Sequence, residues 1–168
     1  MTNDTELPGH PRAAELVRRL ELRPHPEGGW YREVFRSPHT VRPDDGRPPR
    51  SALTVIHFLL AGGGHSRWHR VASDEAWSWV EGDPLELMRI LPDGVLARVR
   101  LGAPGEGAEP VAVVPAGEWQ AARTLGAYTL VACAVGPGFD FADFAMLADA
   151  PAEAEAVRRR HPDAAALI

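Results

Sequence analysis

Residues 63–82 read GGHSRWHRVASDEAWSWVEG, and the punctuation of this stretch decides the fold. Gly62-Gly63-Gly64 closes the apolar, β-branched run Ser51–Leu60, and Gly82-Asp83-Pro84 separates Ala76–Val80 from Leu85–Leu91. Glycine and proline at those points turn the chain out of one strand and into the next. Within a strand, successive side chains point to opposite faces. If His69 faces inward, so does Val71; Glu75, Trp77 and Trp79 form the next inward set, while Arg70, Ala76 and Ser78 point out. One wall then presents an imidazole, a carboxylate and two indoles, the apolar surface with a few convergent polar groups that small-molecule sites use.

The same rhythm continues in both directions. Pro92-Asp93-Gly94 turns into Val95–Leu101, Gly102–Pro110 is a loop, and Val111–Val114, Trp119–Arg123 and Tyr128–Val135 are further strands. Gly136-Pro137-Gly138 breaks the chain before Phe139–Met146, where Phe139 and Phe141 read as core. Upstream, Trp30–Phe35 alternates with charges at Arg32 and Glu33. Arg36–Arg50 carries four prolines and reads as a mobile connection at the barrel mouth. Helical spacing is confined to the ends. Ala13, Leu16, Val17 and Leu20 recur along Arg12–Leu22 until Pro24 and Pro26 stop them. A closing helix starts near Asp149, takes Pro151 in its first turn and ends before Pro162. Met1–Pro11 reads as a disordered leader and residues 12–168 as one domain. Many short strands framed by one helix at each end make an all-β sandwich or barrel.

With 168 residues, the chain can bury roughly 70% of the surface its unfolded form exposes, enough for a core of its own. A net charge of −5 argues against nucleic acid, which selects a basic face. Arg42, Arg47 and Arg50 do cluster, but Asp44 and Asp45 lie among them, so the cluster reads as a solvated loop. No apolar run approaches the ~18 residues of a membrane helix. The polar Met1–Pro8 also lacks the apolar segment of a signal peptide, so no membrane partner is expected and the expected location is cytoplasmic. Cys133, the only cysteine, lies within an apolar run and reads as a small buried hydrophobe.

Two spacings carry a resemblance. Gly63, His69, Glu75 and Gly82 follow at intervals of five, five and six intervening residues, and Pro115-x-Gly117-x-x-Gln120 comes downstream. These resemble the paired motifs of the cupin superfamily, in which three histidines and a glutamate point into the barrel and bind a metal. Here Val71 stands at the second histidine position and Gln120 at the third, while Thr124 replaces an asparagine and Glu109 a glycine. The segments His25-Pro26-Glu27-Gly28-Gly29-Trp30-Tyr31-Arg32-Glu33, Ser73-Asp74-Glu75-x-Trp77 and Pro137-Gly138-Phe139-Asp140-Phe141 are similar to the fifth cupin subfamily. The resemblance runs from about His25 to Phe144 and implies a double-stranded β-helix, or jelly-roll barrel, with a short helix at each end. It also implies a homodimer.

His69 and Glu75 are the candidate catalytic pair, and Trp77, Trp79, Gln120, His57, Tyr31 and Ser66 are candidate ligand contacts. No cofactor is expected. A divalent metal would have to be held by His69, Glu75 and Gln120, with His57 or His65 filling in, because valine offers no donor and an amide oxygen is a poor substitute for imidazole. Without metal, a glutamate packed against Trp77 and Trp79 has a raised pKa, and a histidine within reach acts as base. Cupins that act on nucleotide-linked sugars work in this way, with an inward histidine and a tyrosine acid. The leading expectation is therefore an isomerase or epimerase acting on a sugar-like or small polar organic substrate. A non-catalytic ligand-binding module is the alternative, and a metal-dependent dioxygenase or cyclase is a third reading.

Overall fold

Sixteen glycines and sixteen prolines cut this chain into strands too short to fold alone, so each stands only by pairing with its neighbours. The computed structural model describes residues 7–105 and 107–168. The leader expected over residues 1–11 lies, for residues 1–6, outside the described residues, and helix α1 spans Pro11–Arg19. Strands β1 (Arg23–Pro24), β2 (Trp30–Arg36), β3 (Thr40–Val41), β4 (Arg50–Ser51), β5 (Thr54–Ala61), β6 (His65–Val71) and β7 (Asp74–Gly82) follow. Next come β8 (Leu85–Ile90), β9 (Leu96–Leu101), β10 (Val111–Val114), β11 (Trp119–Thr124), β12 (Tyr128–Gly136), β13 (Phe144–Met146) and helix α2 (Pro151–Arg160).

Two antiparallel sheets face each other. One has the order β1-β2-β5-β12-β7-β10 and the other β13-β6-β11-β8-β9, while β3 and β4 form a small separate hairpin. Consecutive strands β6 and β7 lie in different sheets, so the chain crosses the barrel at Ala72-Ser73. The inner faces meet in a core around Phe58, Leu60, Trp77, Leu87 and Val131. Each helix closes an outer face. Helix α1 packs Leu16 and Val17 on Leu59 and Leu130, with Trp30 against the same cluster. Helix α2 and the C-terminal residues cover Trp68, Met88 and Trp119. The indole N–H of Trp68 donates to the Ala164 carbonyl at 2.8 Å. No helix among the described residues is long and apolar enough to cross a membrane.

After the break at Gly136-Pro137-Gly138, a 3-10 turn at Phe141–Asp143 leads into β13. Two expectations change. The run Ser51–Leu60 divides between β4 and β5. The Arg36–Arg50 connection is pinned rather than solvated. Arg50 holds Asp143 with two hydrogen bonds of 2.8 Å, and Arg47 adds a third of 2.8 Å to the same carboxylate. That carboxylate is 7% exposed, so sequence-distant charges find partners that the local pattern of Asp44 and Asp45 does not reveal.

Candidate functional site

The crossing from β6 to β7 sets His69 and Glu75 on facing walls. Gln120 on β11 lies directly across from His69 in the ladder. Its amide is oriented by its neighbours. The Trp77 indole can only donate, so it bonds Gln120 Oε1 at 2.9 Å, and Gln120 Nε2 then donates to Glu75 Oε2 at 2.6 Å. Gln120 is fully buried and acts as a strut behind the Glu75 carboxyl.

A second carboxyl enters from the loop before β2. Between His25 and Gly29 the chain makes a tight turn, with His25 N–H donating to the Gly29 carbonyl and Gly28 N–H to the His25 carbonyl. Arg67 N–H donates to the Glu27 carbonyl at 2.8 Å and docks the turn on β6. Gly28 has φ +110°, and a Cβ there would lie 2.3 Å from the His65 carbonyl oxygen, so only glycine permits the approach. Glu27 is thereby buried beside His69. Ser66 Oγ donates to Glu27 Oε1 at 2.9 Å, while Glu27 Oε2 lies 3.2 Å from His69 Nε2.

Hydrogen bonding dictates where the protons are. His69 Nδ1 lies 2.7 Å from the Arg67 carbonyl, which can only accept, so Nδ1 carries the hydrogen and Nε2 presents a lone pair. His25 Nδ1 spends its lone pair on the Glu27 backbone N–H, 3.2 Å away. Glu27 Oε2 stands 3.4 Å from that nitrogen. Facing the lone pair of His69 Nε2 at 3.2 Å, the buried Glu27 carboxyl supplies the proton between them. Its environment agrees. Burial pushes the Glu27 pKa up to about 8 despite the Ser66 bond. Burial raises Glu75 to about 7, against the opposing influence of His69. Burial holds the His69 pKa below the usual imidazole range and takes His25 down to about 3, with His69 adding to the effect.

These groups line a cavity of about 470 Å³. His69, Glu75, Trp77 and Tyr31 all reach it, as do Glu27 and His25, which the sequence reading quoted within a motif but did not single out. The acidic residue followed by two glycines in that motif is the signal that points to them. Ser66 and Gln120 sit just behind the wall, bonded to Glu27 and Glu75 respectively. Two further expected contacts also do not reach the cavity, so four of the six stand outside its lining. Trp79 faces inward against the core, farther along β7, and His57 points out of β5 because Ile56 and Phe58 take the inner positions. His65 pairs with Arg123 at the start of β6 and also stays outside the cavity. Phe139 and Phe141, expected in the core, line the mouth instead, and Phe141 is 53% exposed. Cys133 is buried, as the sequence indicates, and its sulfur borders the cavity.

The family profile of the Cupin superfamily (DUF985) matches residues 14–147. The chain is a cupin. A hypothetical protein from Leishmania major is 36% identical, with a TM-score of 0.78 over 92% of this chain and 94% of that one. A Shewanella oneidensis protein is 33% identical, with a TM-score of 0.77 over 91% of this chain and 92% of that one. Oxalate decarboxylase from Bacillus subtilis is 17% identical with a TM-score of 0.58, this cupin covering 33% of its length, and that likeness shows the fold alone. No curated protein matches the chain.

The B. subtilis oxalate decarboxylase has Mn(II) centres. The donor set of the present cupin differs from the three-histidine, one-glutamate pattern. Val71 presents hydrocarbon, and both ends of the Gln120 amide are committed to Trp77 and Glu75. His69 has one nitrogen on a backbone carbonyl and turns the other toward Glu27. Among the described residues, no group of three or more His, Cys, Asp or Glu side chains is arranged to hold a metal ion. The cupin metal therefore does not fit this donor set.

Proposed function

We propose that this cupin is an isomerase or epimerase that moves a proton on a sugar-like or small polar organic substrate bound in the barrel. The observation that carries the reading is the contact of Glu27 Oε2 with His69 Nε2 at 3.2 Å, in a cavity where a second carboxyl, Glu75, also titrates near neutrality. Two carboxyls poised at about 7 and about 8 suit opposite tasks at the same pH. Glu75, the more readily ionised, is the base. It removes a proton from a carbon beside a carbonyl; the C–H electron pair becomes a carbon–carbon double bond as the carbonyl π pair moves to oxygen. The Glu27 carboxyl, held by Ser66 and His69, donates its proton to that oxygen. In an α-hydroxy carbonyl, Glu75 returns its proton to the former carbonyl carbon while the ionised Glu27 takes the proton of the other hydroxyl, which gives the isomer; alternatively solvent protonates the original carbon on its other face, Glu75 releases its proton to solvent, and Glu27 recovers the enol proton, which gives the epimer. His69 keeps Glu27 in its donating state by accepting its hydrogen bond at Nε2. Tyr31 walls the cavity, packed edge-on against His25 at 4.4 Å.

Carbon-13 NMR of labelled glutamate carboxyls tests the protonation scheme, with solvent-deuterium incorporation into a panel of α-hydroxy carbonyl compounds as the activity readout. Glu27 and Glu75 are expected to titrate near pH 8 and 7. Glu75→Gln and His69→Ala are expected to slow exchange by about 10²-fold or more while leaving the far-UV circular dichroism unchanged. Titration of both carboxyls in the ordinary range near 4.3 refutes the scheme. An unaltered ligand that co-purifies and tolerates Glu75→Gln assigns the cavity to binding alone.

A further inference from the structure

We infer that the substrate carries an anionic group next to an apolar or aromatic body, with Arg23 binding the anion at the cavity mouth and Phe141 covering the body. The inference rests on the proton-transfer reading only for the placement of the reacting carbon beside Glu75. Three arginines reach the cavity, Arg23, Arg32 and Arg36. Arg32 is engaged by Glu21 at 2.8 Å and by the Leu20 carbonyl. Arg36 grips Glu33 through two bonds of 2.9 and 2.8 Å and also donates to the Phe139 carbonyl. Among the described residues, Arg23 alone of the three meets no protein acceptor. It is exposed on β1 and paired in register with Tyr31, so its strand runs along the cavity wall.

The opposing charges at the mouth are already occupied. Glu33 is bound by Arg36, and Asp140 accepts the Ala142 N–H at 2.8 Å as a turn cap. A planar guanidinium with free donors is matched by a carboxylate or phosphate, which accepts two bonds at once.

The aromatic side is equally specific. Phe139, Phe141 and Phe144 form a cluster, with Phe141 edge-on to Phe139 at 4.9 Å and to Phe144 at 6.0 Å. Phe141 also lies over His25 with an interplanar angle of 24°, yet leaves half its surface to solvent. An exposed ring at the rim of a cavity gains by covering an apolar ligand. Between Arg23 outside and the buried carboxyls inside, the ligand is amphiphilic, with its charge at the mouth and its reacting carbon at the base.

The test uses phenylpyruvate and its uncharged analogue phenylacetone, with phenyl phosphate as the phosphate arm. Calorimetry measures binding and deuterium incorporation measures proton transfer. Wild-type protein is expected to bind phenylpyruvate or phenyl phosphate about tenfold or more tighter than phenylacetone, and the better anion identifies the source. Arg23→Gln, at an exposed site without protein bonds, is expected to erase most of that preference. Phe141→Ala should weaken charged and neutral probes alike. Equal affinity for acid and neutral probes, binding unchanged by Arg23→Gln, or no binding of any probe overturns the inference. Arg23-dependent binding without exchange overturns the proton-transfer reading and leaves the anion site standing. Exchange indifferent to Arg23→Gln does the reverse.

Discussion

Replacing Glu27 with glutamine should flatten the alkaline side of the stability–pH profile. The amide preserves the hydrogen bonding, since its oxygen accepts from Ser66 Oγ and one of its N–H groups points at the lone pair of His69 Nε2. What it removes is a titration. In the unfolded chain Glu27 ionises above its ordinary value of 4.5, whereas the folded protein holds the proton until about pH 8. A raised carboxyl pKa means that folding binds a proton, so stability is full below 4.5 and falls as the pH climbs. Each unit in that window costs about 1.4 kcal/mol, which gives on the order of 4 kcal/mol by pH 8. Glu75 adds a decline of the same sign up to about pH 7 and persists in the variant. On the acid side, His25 is buried neutral, with a pKa of about 3 against 6.5 unfolded, so wild type and variant should lose stability together as the pH falls below 6.5. Urea denaturation followed by circular dichroism from pH 4 to 8.5 measures both curves. The stability difference between variant and wild type should be small near pH 4 and grow in the variant's favour toward pH 8. Two parallel curves would show that Glu27 titrates normally and would refute the buried-proton assignment.

Asp143→Asn should destabilise the fold by about 2 kcal/mol, because Arg47 and Arg50 lose the carboxylate that holds the Arg36–Arg50 connection against the barrel. Hydrogen exchange should accelerate around β3 and β4 while the barrel strands stay protected; unchanged protection there would remove the clamp from the account. The donor set can be tested by restoration. Val71→His combined with Gln120→His puts imidazoles at the two positions where this cupin lacks them, and elemental analysis should find near-stoichiometric divalent metal in that variant but not in wild type. Stoichiometric metal in the wild-type protein, lost on His69→Ala, would show that the donor-set argument is wrong.

The strand runs, the two terminal helices and the inward set of β6 and β7 were legible because glycine and proline mark turns and because alternation is a local property. Val111–Val114 and the helix opened by Pro151 lie where the pattern places them. Trp79 shows the limit of alternation. Its face is inward as expected, but depth along the barrel is not written in a period of two, so the sequence cannot say that the cavity ends before it. His57 sits on or beside the same sheet region by its place in the sequence, but its strand turns it outward. Phe139 and Phe141 are apolar and read as core, while their real position depends on how the segment after β12 folds over the mouth.

By itself, the sequence determined an all-β sandwich or barrel and the pairing of an inward histidine with an inward glutamate, which follow from residue identity and from spacing within one or two strands; the resemblance to the cupin motifs added that Val71 and Gln120 stand where two metal ligands are usual. Tertiary structure alone decided that Glu27, forty-two residues from His69, is the third member of the site, that Gln120 braces Glu75, and that Arg23 at the mouth meets no acceptor among the described residues. A proton's position depends on burial and on which lone pairs face each other across the barrel, and both are set only when the two sheets and the loop before β2 close on one another.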